Sequence, residues 1–201
     1  GCQRQHPGRL HLLAHGARGY LITSWGDYGH WQPYAVDLLP LAAGAARGWC
    51  AASNRDANLV LQLDLHVFRD EAGALGRIAH DLGLVYRETG HTIHNASALF
   101  RLVSQRSIEN LMAAIPEENL RAARERLRSV MSALGSSRSA RDDAALVTHE
   151  FATAAQLMEC GLARGLGEPF DREPMRAAYR AQWLARNRPG GLDDSAAKMD
   201  K

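Results

Sequence analysis

A cluster of aromatic and polar side chains near the beginning of the chain has the composition of a carbohydrate-binding site. An indole ring can stack on the apolar C–H face of a pyranose, and a carboxylate can accept hydrogen bonds from the sugar hydroxyls. Gly26 and Gly29 give the backbone between these side chains conformational freedom. The cluster predicts a sugar-binding site with these substrate-binding candidates: Trp25, Asp27, Tyr28, His30 and Trp31.

The segment before this cluster has the pattern of a short, largely buried β-strand. Tyr20 to Thr23 are aromatic, aliphatic or β-branched, and such residues favour strands. Indole rings and a carboxylate at the end of a buried strand are what a sugar-binding site requires. A structural interpretation is also open, in which the strand ends in a turn, Trp25 packs in the core and Asp27 caps the next helix.

The residues Trp25-Gly26-Asp27, followed by an alanine-rich helix, resemble the end of the catalytic barrel in family 20 glycoside hydrolases, the β-N-acetylhexosaminidases. In that family a Trp-Gly-Glu on the last barrel strand lines the pocket for the terminal sugar. The longer string from Tyr20 to Pro33 is similar to a bacterial branch of hexosaminidase-like proteins. The resemblance implies that Trp25 is a stacking wall. It also implies that Asp27, one methylene shorter, replaces the glutamate that holds the sugar hydroxyls.

Two further stretches extend the resemblance along the chain. Trp183 to Leu192 looks like the tail of the same branch, and Leu63 to Phe68 carries a weaker similarity. His30 and Trp31 have no counterpart in the general family motif and are expected at the rim of the pocket. The resemblance implies a glycoside hydrolase that acts on terminal β-linked N-acetylhexosamine, with a carbohydrate as its partner and no cofactor.

The catalytic acid of such an enzyme is expected outside this chain. Family 20 hydrolysis is substrate-assisted: the acetamido carbonyl attacks the anomeric carbon of its own sugar, while an Asp-Glu pair on a middle barrel strand orients it and protonates the leaving oxygen. Asp70-Glu71 is the one such dipeptide in the sequence, and it precedes a helix instead of ending a strand. We therefore expect no catalytic residue in this chain and a general acid upstream of it. The chain alone is expected to hydrolyse no aryl N-acetylglucosaminide.

Helical periodicity dominates the rest of the sequence. Apolar residues recur at helical spacing in segments that begin at capping or proline signals and end at glycines. Residues 59–68 favour a helix, but their alternation would also suit a strand. Gly161, Gly165 and Gly167 mark the predicted fraying end of one long helix. Helices are predicted in the segments 34–50, 74–88, 98–104, 107–114, 116–135, 142–162 and 171–184.

The predicted fold is mostly α, with two parts. Residues 1–52 form the last βα element of a TIM-type (β/α)8 barrel, as the resemblance implies, and residues 53–201 form a C-terminal α-helical bundle. Because the chain reaches the barrel-like strand within about twenty residues, we expect it to be a piece of a longer protein. Two alternatives stay open. One is a non-catalytic helical interaction module in which Trp25 and Asp27 are structural, and the other is a different barrel hydrolase.

Composition and charge argue against several other classes. The 201 residues suffice for one ordinary domain or two small ones, and the formal net charge is +2 with acids and bases interleaved. This balance gives no basis for binding nucleic acid or an anionic membrane, and no apolar run approaches the roughly 20 residues of a membrane span. His91 and His94 lack further ligands, so no metal is predicted. The scattered cysteines favour a reducing, cytoplasmic compartment over a disulfide framework: Cys2, Cys50 and Cys160.

Overall fold

The computed structural model describes residues 15–16, 18–19, 21–26 and 29–200, and the regular structure in these residues is helical. The α-helices of this part of the chain are α1 Tyr34–Trp49, α2 Leu59–Gln62, α3 Leu75–Leu82, α4 Ala98–Ser104, α5 Glu109–Ala114, α6 Glu117–Met131, α7 Ala144–Gly165, α8 Glu173–Arg186 and α9 Leu192–Ala197. A π-helical turn occupies Leu63–Phe68, and 3-10 turns occupy Val85–Thr89, Leu134–Ser136 and Lys198–Asp200. The mostly α class predicted from the sequence is confirmed. No helix in the described ranges combines the length and apolar character needed to span a membrane.

Several helices begin and end at the residues that the sequence signals. Ser97 caps α4, because its hydroxyl accepts a hydrogen bond from the Phe100 backbone N–H at 3.2 Å. Pro116 stands directly before α6, where a missing N–H removes no helical hydrogen bond. Gly90 ends a 3-10 turn at φ 65°, a conformation that glycine adopts without strain. Each of these signals lies within a few residues of the helix end that it sets, so the position of that end can be predicted from the sequence alone.

Two predicted segments differ in detail from the structure. The helix predicted over 74–88 is divided into α3 and the 3-10 turn Val85–Thr89, because the chain turns between them. Residues 59–68 are helical and not a strand, and the π-helical turn at their end widens the helix by one residue per turn. This turn buries Leu63 and Phe68 in the core and leaves Leu65 exposed.

The buried strand predicted at residues 20–23 is wrong for the residues that the structure describes. Residues 21–23 belong to no strand, and Leu21 is 84% exposed. A strand needs neighbouring strands to pair its backbone N–H and C=O groups and to cover its apolar face. In the described ranges β-structure is limited to two isolated bridges, so no such neighbour is available. Tyr20 itself lies outside the described residues.

Helix α7 is the central element of the core and packs against α1, α4, α6 and α8. Its Phe151 ring lies edge-on to Phe68 with the ring centroids 5.7 Å apart, and both side chains are fully buried. Gly161 lies inside α7 and not in a fraying end, which corrects the sequence prediction. A Cβ atom at this position would lie 3.0 Å from the Leu99 carbonyl oxygen, so the glycine allows α4 to approach α7 closely.

Helix α1 belongs to the same hydrophobic core as the helices that follow it. Its Ala35 and Leu39 side chains are buried in one cluster with Phe68 and Phe151. The apolar face of α1 is covered by α3 and α7. The predicted domain boundary at residues 52 and 53 therefore passes between elements that pack together.

Asp70, which precedes α3, is buried and bonds the first backbone N–H groups of that helix. Its carboxylate accepts hydrogen bonds from the backbone N–H groups of Ala74 at 2.9 Å, Leu75 at 3.0 Å and Arg138 at 2.6 Å. Burial raises the pKa of Asp70, but the backbone hydrogen bonds outweigh burial and hold the pKa below its ordinary value. The ionised carboxylate therefore joins the start of α3 to the segment that precedes α7.

Candidate functional site

A cleft with a volume of ≈ 500 Å3 opens between the beginning of α1 and helix α8. This volume lies within the roughly 300–1,000 Å3 of typical small-molecule sites. One wall contains His30, Trp31, Gln32, Pro33, Tyr34 and Asp37. The remaining lining residues are Arg141, Glu150, Tyr179, Gln182, Trp183, Arg186 and Asn187. The cleft combines aromatic rings with charged and amide groups, a composition that suits a polar ligand with apolar faces.

An ion-pair network centred on Arg186 forms part of the cleft lining. Arg186 donates from Nε and Nη2 to the two oxygens of Glu150 at 2.8 and 2.9 Å, and from Nη1 to Asp143 at 2.7 Å. The Glu150 side chain is 1% exposed, so its charge is tolerated only because Arg186 compensates it. Hydrogen bonds from Arg141 and Arg186 hold the pKa of Asp143 well below its ordinary value, although its desolvation opposes them.

No pattern in the sequence predicted this network, although one signal points to it. Glu150 stands beside Val147, Phe151 and Ala154 on the buried face of α7. A carboxylate on such a face needs a cationic partner, because an isolated buried charge is very costly. The identity of the partner, Arg186, depends on how α7 and α8 pack and is not encoded locally.

The Tyr34 ring lines the cleft and is half exposed. The guanidinium carbon of Arg186 lies 5.2 Å from its centroid in a cation–π contact. Because two carboxylate partners fix Arg186, this contact also restrains the ring. On the other wall, Trp183 packs edge-on to Tyr179 with the centroids 6.0 Å apart. Aromatic surfaces therefore stand on both walls of the cleft.

Helices α8 and α9 hold the turn at Gly29 in place. The Gly29 carbonyl oxygen accepts hydrogen bonds from the hydroxyl groups of Tyr179, at 3.2 Å, and of Ser195. The Tyr179 and Ser195 hydroxyls lie 2.5 Å apart. The Trp31 indole N–H donates to the Ser195 carbonyl oxygen at 3.2 Å. Residues 29–31 therefore contact both α8 and α9 at this turn.

The structure brings two of the five predicted site residues to the cleft. His30 and Trp31 both line it. Trp31 is only 5% exposed, however, so it is a buried part of the wall and not the rim residue that was expected. Trp25 is not among the lining residues and is 73% exposed, so the alternative that placed it in the core is wrong. Asp27 and Tyr28 lie outside the described residues.

Hydrogen bonds of the adjacent Ser24 nevertheless connect the segment around Trp25 to the cleft. The Trp25 indole N–H donates to the Thr23 hydroxyl at 2.8 Å. The adjacent Ser24 hydroxyl donates to Asp37 Oδ2 at 2.7 Å and accepts from Gln32 Nε2 at 3.2 Å. Asp37 and Gln32 both line the cleft, so the residue next to Trp25 is bonded to its wall.

Asp37 is a cleft carboxylate that the sequence analysis did not single out. It lies in the first turn of α1, where an acidic residue is favoured by the helix dipole, and this ordinary role gives no functional signal. Burial raises the pKa of Asp37, while the Ser24 hydrogen bond and the charge of His30 oppose that effect. Within the described residues Oδ2 has Ser24 as its donor, and Oδ1 accepts no hydrogen bond.

Replacing Gly29 by Ala is expected to lower the free energy of unfolding by about 1–3 kcal/mol. Gly29 has φ 107°, and a Cβ atom there would lie 2.7 Å from both Ser195 Oγ and Trp31 Nε1. Urea denaturation followed by tryptophan fluorescence measures the change. Gly190→Ala is the matched control, because a Cβ atom there meets nothing within 4 Å. Equal losses in the two variants would contradict the tight packing of the Gly29 turn.

Metal ligands and thiols do not come together in the described part of the chain. No group of three or more His, Cys, Asp or Glu side chains is placed there to hold a metal ion. His91 and His94 lie in the loop before α4. Burial raises the pKa of the Cys160 thiol, which nearby arginines partly offset. Cys2 lies outside the described residues.

Comparison of the chain with protein-family models, with curated proteins and with solved structures gives no match. The function of the cleft is therefore inferred from its own residues and from the sequence motif beside it.

Proposed function

We propose that this chain is the C-terminal part of a β-N-acetylhexosaminidase-like glycoside hydrolase that acts on terminal β-linked N-acetylhexosamine. In this proposal the chain contributes one wall of the sugar pocket, and the catalytic acid comes from residues outside it. The finer fold prediction belongs to the same proposal: residues 1–52 are the last βα element of a (β/α)8 barrel, and residues 53–201 follow as a helical bundle. In this proposal the strand forms only when barrel strands outside this chain pair with residues 21–23, because in the described part of the chain these residues form no strand.

One observation carries the proposal. The two stretches with the stronger family resemblance, residues 20–33 and 183–192, are far apart in the sequence, yet residues from both line the same cleft. His30 to Pro33 come from the first stretch, and Trp183, Arg186 and Asn187 come from the second. Residues that act on one ligand must meet in space, so this convergence supports a shared binding role.

The chemistry of Trp25 fits a stacking role in that pocket. Its N–H is bonded to Thr23, so the indole satisfies its polar atom while its ring remains exposed to a ligand. The Ser24–Asp37 hydrogen bond restrains the backbone next to the ring. A restrained aromatic ring loses less conformational entropy on binding a sugar than a mobile one does.

Replacing Trp25 by Ala is expected to weaken binding of N-acetylglucosamine to the chain about tenfold, because the loss of one stacked ring is worth ~1 kcal/mol or slightly more. Isothermal titration calorimetry of the intact chain measures this affinity, with glucose as the comparison sugar. Trp49→Ala is the matched control, because Trp49 is 91% exposed at the far end of α1. Equal affinities of the parent chain and Trp25→Ala, at unchanged melting temperature, would contradict the stacking role.

One observation favours the non-catalytic interaction module instead. Leu21 and Trp49 are largely exposed, and exposed apolar side chains are common at protein–protein contacts. This alternative predicts that N-acetylglucosamine and glucose bind equally weakly and that Trp25→Ala leaves both affinities unchanged. The same titrations therefore separate the two functions.

A further inference from the structure

We infer that the cleft between α1 and α8 binds a second ring of the glycan, with Asp37 as a hydroxyl acceptor and Tyr34 as a stacking surface. The inference rests on the proposed function, in which Trp25 stacks on the terminal sugar. It assigns a ligand to a cavity of ≈ 500 Å3 whose lining does not include Trp25.

The hydrogen-bonding capacity of the cleft points to a ligand with hydroxyl groups. Glu150 has both oxygens engaged by Arg186 and is not available to a ligand. Asp37 has one oxygen held by Ser24, and its Oδ1 accepts no hydrogen bond from the described residues. A carboxylate oriented through one oxygen and open at the other is suited to accept a hydrogen bond from a sugar hydroxyl.

The aromatic surface of the cleft is preorganised. Arg186 lies 5.2 Å from the Tyr34 centroid, and its three guanidinium nitrogens are all bonded to carboxylates. The ring is therefore backed by a fixed cation while half of the residue stays exposed. Tyr34 and Asp37 are three residues apart in one helix, so their side chains lie on neighbouring parts of its surface.

The cleft adjoins the position expected for the first ring. Ser24 is bonded to Asp37 and is the sequence neighbour of Trp25, and adjacent Cα atoms are about 3.8 Å apart. A first ring stacked on Trp25 would therefore lie next to the residue that is bonded to the cleft wall. A ligand with two linked rings fits this arrangement better than a single sugar does.

The test titrates the intact chain with N-acetylglucosamine and with its β-1,4-linked disaccharide. We expect the disaccharide to bind about five- to tenfold more tightly, because it adds a hydrogen bond and a stacking contact. Asp37→Asn and Tyr34→Ala should each remove most of this gain, whereas Trp25→Ala should weaken the binding of both sugars. Tyr34→Phe should retain the gain, because the ring remains.

Matched controls are Asp142→Asn, an exposed acid that does not line the cleft, and Trp49→Ala. If Tyr34→Ala unfolds the chain, Asp37→Asn and Tyr34→Phe still decide the outcome. Two results would overturn the second-ring site: equal affinities for the two sugars, or a gain that survives Asp37→Asn. In either case the proposed function would stand if Trp25→Ala still weakens monosaccharide binding. Absence of binding by both sugars would overturn the proposed function together with this inference.

Discussion

Replacing Arg186 by Ala is expected to lower the free energy of unfolding by about 3–5 kcal/mol. The substitution leaves the buried Glu150 carboxylate without the guanidinium that donates to both of its oxygens. It also removes a donor to Asp143. An uncompensated charge in the interior is costly, because water no longer solvates it and no cation replaces the water. Urea denaturation followed by far-UV circular dichroism measures the loss.

Arg180→Ala is the matched control for this prediction. Arg180 belongs to the same helix and pairs with Asp193 at 2.7 Å, but both side chains are exposed. Exposed ion pairs contribute little, so the expected change is within about 1 kcal/mol. A loss of similar size in the two variants would show that burial of Glu150 does not determine the effect.

The pH dependence of stability gives a second readout of the same network. Hydrogen bonds from Arg141 and Arg186 lower the pKa of Asp143 in the folded chain. A carboxyl group whose pKa is lower in the folded chain stabilises the fold at pH values above its unfolded pKa of ~3.9. That stabilisation is lost as the pH falls through the folded pKa. Arg186→Ala raises the folded pKa toward the unfolded value. The decline in stability below about pH 4 should therefore be shallower in the variant.

Replacing Phe68 by Ala is also expected to cost about 3–5 kcal/mol, because it opens a cavity in the middle of the core. The Phe68 ring is fully buried and lies edge-on to Phe151. Denaturant unfolding of the two chains measures the difference. Leu65→Ala is the matched control in the same π-helical turn, because Leu65 is exposed, and we expect a change within about 1 kcal/mol. Comparable losses would contradict the π-helical register of residues 63–68.

The helices could be predicted from the sequence because their signals are local. The predicted helix at 98–104 coincides with α4, whose Ser97 cap and apolar spacing lie within the segment itself. The predicted helix at 34–50 agrees with α1 to within one residue. The prediction of a strand at 20–23 is wrong because a strand depends on partners that are distant in the sequence. β-Propensity describes fit to a sheet, and the described residues provide no partner strand.

The candidate site was predicted only in part. His30 and Trp31 were singled out by residue type, and both line the cleft. Tyr34 and Asp37 stand only a few positions further along, but there they look like ordinary residues of a first helical turn. Their role in the cleft depends on the hydrogen bond from Ser24 and on the position of Arg186. Both contacts form only when separate elements pack together.

The helical periods, the caps that bound them and the aromatic cluster around Trp25 can be read from the amino-acid sequence, because each depends on residues within a few positions of one another. The packing of the helices places residues 30–37 and 179–187 on opposite sides of one cleft. It also pairs Glu150 with Arg186. Such contacts arise from the way in which α1, α7 and α8 bury their apolar faces against one another. That packing depends on all of these segments together, so no single segment predicts it.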